Sequence, residues 1–215
     1  MFKYKKNDLI SAIKTSDAFS EKLIKTRIYP SKAAVMLTLL EKDGGFEVLF
    51  EVRSENMGIQ PCDVGFPGGH VDKGEKASKA IIRELKEELL LKDAENQVEI
   101  IKTLPLVMGP RGIIVTPFIG ILKDYDGNFS KAETDHIFTA PLSFFLENDP
   151  EKYTTIINRT APDNFPFDSI NNGENFNKQI IEDNMYFYRY KDYVIWGLTA
   201  KITYMVSIMI KEAIF

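Results

Sequence analysis

Three glutamates, Glu84, Glu87 and Glu88, fall within five residues of one another and follow a glycine-rich run. Spacings of i, i+3 and i+4 place side chains on adjoining turns of one helical face. Lys76–Leu91 contains no Gly or Pro and is dominated by Ala, Leu, Lys and Glu, so the spacing predicts a helix there. Like charges on one face cost about 0.2–0.5 kcal/mol per pair, and toward the helix C-terminus they also oppose the macrodipole. A divalent cation removes both objections, and hard carboxylate oxygens suit Mg²⁺ or Mn²⁺.

Immediately upstream stands Gly65-Phe66-Pro67-Gly68-Gly69-His70-Val71-Asp72-Lys73-Gly74-Glu75. Gly68 and Gly69 carry no side chain, so their backbone can approach a phosphate or a metal closely, and Pro67 stiffens the entrance to the turn. Arg83 precedes the first carboxylate and can orient neighbouring glutamates through a bidentate contact. Ala77, Ile81, Leu85 and Leu89 supply an apolar stripe at helical spacing, which must pack on a sheet to fix the acids in place. An ordinary Glu/Lys-rich helix of this kind is a solvated face. The joint spacing of Gly69, Glu75, Arg83, Glu84, Glu87 and Glu88 separates the two readings, because it arises by chance at on the order of 10⁻⁵ over a chain this long.

That spacing resembles the box of the Nudix hydrolase family, Gly-x5-Glu-x7-Arg-Glu-U-x-Glu-Glu-x-Gly-U with U a bulky aliphatic. The chain supplies Gly69, Glu75, Arg83, Glu84, Leu85, Glu87, Glu88 and Leu91, and it places Leu90 where the family usually has Gly. The resemblance implies an α/β fold, the Nudix α/β/α sandwich with a mixed central sheet and the loop-helix-loop motif. It implies metal ligation by Glu84 and Glu88, with Glu87 as a further ligand or base. It also implies a metal contact from the Gly68 carbonyl, and Glu75 and Arg83 holding the carboxylates. Gly68, Gly69 and Arg53 are the implied substrate contacts.

Further segments are similar to the coenzyme A pyrophosphatase subgroup: Leu49-Phe50-Glu51-Val52-Arg53-Ser54 before the box, then Val115-Thr116-Pro117-Phe118-Ile119-Gly120 and Ile195-Trp196-Gly197-Leu198-Thr199-Ala200. Gly58 and Cys62 stand where the subgroup usually has Arg and Gly. The implied reaction is metal-dependent cleavage of coenzyme A or an acyl-CoA to 3′,5′-ADP and (acyl-)4′-phosphopantetheine. Alternatives are a Nudix pyrophosphatase for ADP-ribose or another nucleotide, and a nucleotide-binding Nudix module without turnover. Glu133 is a candidate additional base. His70 reads equally well as a phosphate contact or a solvated loop residue, and His136 reads as structural or exposed.

The elements that must position these groups follow in chain order. Asn7–Tyr29 reads as one or two short helices, so residues 1–30 are expected to form a helical extension packed on a domain at 31–215. Ala33–Leu40 and Phe46–Val52 flank a Gly-rich turn and predict a hairpin. Gln97–Ile101, Thr103–Val107 and Ile113–Leu122 read as strands, and Ile137–Leu142 leads into a short helix, Leu142–Leu146. Asn148–Asn184 is rich in Asn, Asp, Pro and Gly and reads as a long surface excursion. Met185–Trp196 reads as one strand and Thr199–Ile214 as the closing helix.

With 215 residues, 44% of them hydrophobic, one domain with a sizeable core is expected. A net charge of −4 without a basic stripe disfavours a nucleic-acid polymer as partner and leaves a small-molecule nucleotide. The single cysteine, Cys62, rules out an internal disulfide framework and suits a reducing cytoplasm. Met1–Lys14 lacks a signal-peptide core, and Ile202–Ile210 is too short to span a bilayer, so no membrane partner is expected. A homodimer is compatible with all of these features.

Overall fold

A computed structural model describes residues 31–42, 45–55, 61–109, 112–158, 160–173, 175 and 180–214. The expected helical extension at 1–30 lies outside them.

The first hairpin forms as expected, from β1 (Lys32–Lys42) and β2 (Gly45–Arg53), antiparallel with Leu39 opposite Val48. Their side chains alternate between two cores, as the two-residue period of a strand requires. Ala34, Met36 and Leu49 face one way; Leu37, Leu39, Val48, Phe50 and Val52 face the other. The remaining strands of this sheet are β3 (Val64–Gly65), β4 (Gly68–His70), β5 (Val98–Thr103), β6 (Val107–Met108), β7 (Ile114–Leu122) and β8 (Thr134–Pro141). The order is β3-β2-β1-β7-β5, with β4 on β1, β6 on β7 and β8 on β2. β1 and β7 run parallel while the neighbouring pairs are antiparallel, so the sheet is mixed.

Helix α1 (Ala77–Glu88) lies on the first face, where Ala80, Ile81, Leu85 and Leu89 pack against Ala34, Met36 and Leu49. Burying side chains of this size contributes about 1.5–3 kcal/mol each, which fixes the rotation of the helix and hence the direction of its acids. A single turn, α2 (Ala94–Gln97), leads into β5. The second face is covered by α3 (Leu142–Glu147) and α4 (Gly197–Ile214), through Phe145, Ala200, Ile202 and Val206 against Leu37, Val48 and Phe50. Helices on both faces give the expected α/β/α sandwich. Among the described residues no helix is long and apolar enough to cross a membrane.

Three expectations are corrected. Asn148–Asn184 is not one long excursion: it contains β9 (Glu151–Asn158), which pairs antiparallel with β10 (Ile180–Tyr190), a strand that begins inside it and runs beyond it, and Tyr153 lies opposite Met185. Met185–Trp196 is not one strand, because the chain turns at Lys191-Asp192, with Lys191 at φ +53°, and returns as β11 (Tyr193–Trp196). Thr103–Val107 is interrupted at Pro105, which has no N–H to donate to a ladder, and pairing resumes only at Val107–Met108.

Candidate active site

β4 brings the glycine run alongside β1, with Ala34 opposite Gly69 and Val35 opposite Gly68. The fit leaves no room for a side chain. Gly68 adopts φ +142°, and a Cβ there would strike the Ala34 carbonyl. A Cβ on Gly69 would stand 2.6 Å from Cδ of Glu84, so that carboxylate lies directly on the Gly69 backbone. One turn further along α1, Glu88 Oε2 accepts a hydrogen bond from the Gly68 N–H at 2.7 Å. Each of the two glycines is therefore matched to one helix acid.

Arg83 ties the loop to the helix. Its Nε and Nη2 donate to the two oxygens of Glu75 at 3.2 and 3.0 Å, Nη1 donates to Glu84 Oε1 at 2.8 Å, and Nη2 also reaches the His70 carbonyl at 2.9 Å. Hydrogen bonds to Glu75 and then Glu84 hold the guanidinium above its ordinary pKa, and the Arg83 contact in turn lowers that of Glu75. Glu75 is further fixed by the Asp72 N–H at 3.1 Å.

The acids themselves sit in a strained electrostatic setting. Glu88 is only 5% exposed; burial, and then the neighbouring Glu51, push its pKa well above the usual carboxylate range. Glu51, 3% exposed on β2, is pushed up to about 7, chiefly by burial, although Thr134 Oγ1 donates to its Oε2 at 3.0 Å. Glu84 is raised by burial, which outweighs its Arg83 contact. Glu133, exposed just before β8, raises Glu51, Glu84 and Glu88 alike.

Carboxylates arranged this way cannot all ionise unless a cation joins them. Their oxygens are the hard donors that Mg²⁺ or Mn²⁺ takes, so the residues fit a divalent ion. Among the described residues no three acidic, imidazole or thiol groups stand as a ready-made cage, because Glu84 is turned onto Arg83 and Glu88 onto Gly68.

Of the residues singled out from sequence, Gly68, Gly69, Glu75, Arg83, Glu84 and Glu88 come together at this bend. Glu87 stands at its exposed edge: its side chain is 61% exposed, but its Oε2 lies 3.6 Å from Arg83 Nη1, the nitrogen that bonds Glu84, and its charge raises Glu84. Arg53 ends β2, half-buried and near enough to lower the pKa of Glu51. The His70 side chain is exposed. His136 lies on the other face of the sheet, with Nδ1 beside Asp135 Oδ2 at 2.7 Å and Nε2 beside the Tyr193 hydroxyl at 3.2 Å. Glu51 and its partner Thr134 are the site residues that sequence reasoning missed. The available signal was a lone acid inside the apolar run Val48–Val52.

The NUDIX domain family matches residues 30–155. The chain belongs to the Nudix family. It is 29% identical to Nudix hydrolase 22, chloroplastic, of Arabidopsis thaliana, over 87% of this chain and 58% of that protein. It is also 29% identical to the peroxisomal coenzyme A diphosphatase of Mus musculus, over 85% of this chain and 71% of that protein. The chain thus spans less than two thirds of the plant relative's length. The crystal structure of a MutT/nudix family protein from Enterococcus faecalis shares the fold, with a TM-score of 0.53 at 12% identity, covering 100% of this chain and 76% of that one.

Proposed function

We propose that the chain hydrolyses the pyrophosphate linkage of coenzyme A or an acyl-CoA, releasing 3′,5′-ADP and (acyl-)4′-phosphopantetheine. The observation that carries the reading is the seating of two helix acids, the half-buried Glu84 and the buried Glu88, on the two side-chain-free residues Gly69 and Gly68. Glu84 and Glu88 would hold Mg²⁺ or Mn²⁺, joined by Glu87 from the adjoining turn and by the Gly68 carbonyl. Such an ion, when bound, neutralises phosphoryl charge and lowers the pKa of water.

The chain's own residues supply the rest. Arg83 keeps its charge and holds Glu84 and Glu75 in register, so the carboxylates do not have to be ordered as substrate arrives. The bare backbone at Gly68 and Gly69 admits a phosphoryl group close to the helix. Glu133, exposed and electrostatically linked to Glu51, Glu84 and Glu88, takes the proton from the attacking water, with Glu87 as the competing candidate.

Coenzyme A is favoured by similarity to the mouse coenzyme A diphosphatase along most of this chain. A second reading, ADP-ribose or another nucleotide, is favoured by Gly58 and Cys62 standing where that subgroup has Arg and Gly. A cytoplasmic setting belongs to the same proposal and suits the exposed thiol of Cys62. The test is a panel of coenzyme A, ADP-ribose and dinucleoside polyphosphates assayed with Mg²⁺ and with Mn²⁺. Highest kcat/KM on coenzyme A is expected. A higher value on ADP-ribose moves the assignment to the second reading, and binding without turnover of any diphosphate makes the chain a nucleotide-binding module.

A further inference from the structure

A second concavity lies across the sheet from the acids. It measures about 560 Å³, within the size range of small-ligand sites, and is walled by Val52, Val64, Phe187, Tyr193 and Trp196. Phe187 and Trp196 are cross-strand partners on β10 and β11, and their rings stand nearly parallel, 12° apart, with centroids 6.1 Å apart. Tyr193 is stacked on Phe138 at 3.6 Å and 4°, so this wall is fixed before any ligand arrives.

The polar groups are equally settled. Trp196 Nε1 donates to Asp63 Oδ1 at 3.2 Å, and the Tyr193 hydroxyl meets His136 Nε2 at 3.2 Å. The second oxygen of Asp63 carries no hydrogen bond among the described residues. Asp63 and Asp192 line the cavity, and among the described residues no lysine or arginine does. A cavity with that charge rejects phosphate. It suits a flat, neutral ring that stacks on aromatic faces and presents an N–H donor to a carboxylate.

The two sites meet at one end of the sheet. Glu51 and Val52 are successive residues with opposite facings, and β2 stops at Arg53, opposite Thr134 where β8 begins, while Val52 pairs with Val64 where β3 begins. All three strands therefore end within a residue of each other. The cavity and the acid Glu51 therefore lie on opposite faces of the same end of the sheet.

We infer that this cavity is the subsite for the base of the nucleotide substrate, taking a heteroaromatic ring with an exocyclic amine, adenine being the class that fits, and seating that amine on Asp63. The inference rests on the reading of the chain as a nucleotide pyrophosphohydrolase, and its test is independent of turnover. Trp196 is the only tryptophan, so its fluorescence reports the cavity directly.

Titrating the metal-free full chain with adenosine should give a saturable change, with inosine, which carries a carbonyl in place of the amine, at least about tenfold weaker. Asp63→Asn keeps an acceptor for the indole N–H but offers an amide donor to the ligand. It should erase or reverse the adenosine preference. Phe187→Leu should weaken both nucleosides about fivefold or more.

No saturable change with adenosine, equal affinity for adenosine and inosine, or an unchanged ratio in Asp63→Asn would each overturn the inference. Adenosine binding in a protein that hydrolyses no diphosphate would sink the functional reading and leave the subsite. Diphosphate turnover without adenosine binding would do the opposite.

Discussion

Glu51 and Val52 are neighbours on one strand, yet they serve two differently built surfaces. On the α1 face, Glu51 and Glu88 are buried and Glu84 half-buried; burial raises the pKa of all three, Glu84 raises the other two further, and Glu51 raises Glu88. On the other face, Trp196, Asp63, Tyr193 and His136 each have a partner, and the rings touch. The first surface holds unrelieved repulsion and is completed only by a cation; the second keeps its rings stacked and its polar groups paired, one Asp63 oxygen apart, and offers stacking area. The contrast locates where function costs stability: on the acid face alone.

The sharpest way to break that contrast is Glu88→Gln. The amide oxygen can still accept the Gly68 N–H, and a buried charge is lost. Turnover should fall by at least about a hundredfold, while the metal-free protein melts at a higher temperature than wild type. Steady-state kinetics and a thermal melt read the two effects. A variant that loses stability along with activity would mean that Glu88 is an ordinary structural acid.

Next in size is Gly69→Ala. Its Cβ would stand 2.6 Å from Glu84 Cδ, so the carboxylate must leave its place and its 2.8 Å contact with Arg83. A tenfold to hundredfold loss of kcat/KM is expected, on the order of that for a misplaced catalytic group, together with a raised Mg²⁺ requirement. Wild-type metal dependence in this variant would show that the closeness of Gly69 to Glu84 has no part in ion binding.

The legibility of the chain divides along the same line. The bend and α1 were readable because the acids, the glycines and the apolar stripe lie within one continuous stretch, where helical period alone decides which residues share a face. Arg83 clamping Glu75 and Glu84 was readable for the same reason. Glu51 was not, since it meets Glu88 only through packing of α1 on the sheet, 37 positions apart in the chain (88 − 51). The strands β9 and β10 were masked by the Asn- and Asp-rich stretch between them, although Tyr153-Thr154-Thr155-Ile156-Ile157 has the β-branched composition of a strand. The aromatic cavity needs the turn at Lys191-Asp192, and with one straight strand at 185–196 Phe187 and Trp196 could not lie side by side.

A milder probe sharpens the electrostatic half of the comparison. Burial pushes the Glu51 carboxyl up to about 7 in the folded chain, from an ordinary value of 4.5. Between those values the folded protein binds more protons than the unfolded chain, so its stability falls as pH rises through the window. Glu88 shifts in the same direction. The melting temperature of the metal-free protein should therefore drop from about pH 5 to about pH 8. Added Mg²⁺ should restore most of the loss at the upper end, and Glu51→Gln should flatten the slope without removing it, because Glu88 remains. A melting temperature that climbs over this interval in the metal-free protein would contradict the buried-acid account.

The smallest effect concerns the exit from α1, where the chain departs from its family. Leu90 follows the last helical residues in the left-handed region, at φ +50°, and the Leu91 N–H closes the end by bonding to the Lys86 carbonyl at 3.2 Å. That is the position helices usually give to glycine. A leucine there carries a backbone penalty of about 1–2 kcal/mol, and its side chain, with the residue 51% exposed, recovers little by burial. Leu90→Gly removes the penalty but adds chain entropy to the unfolded state, about 0.5–1 kcal/mol. The net gain is between about 0 and 1.5 kcal/mol, a rise in melting temperature of up to about 6 °C for a domain of this size. Activity should stay within about twofold, since Glu84 and Glu88 are positioned by packing upstream of the turn. A lower melting temperature would show that the Leu90 side chain, rather than the backbone turn, is what the helix end depends on.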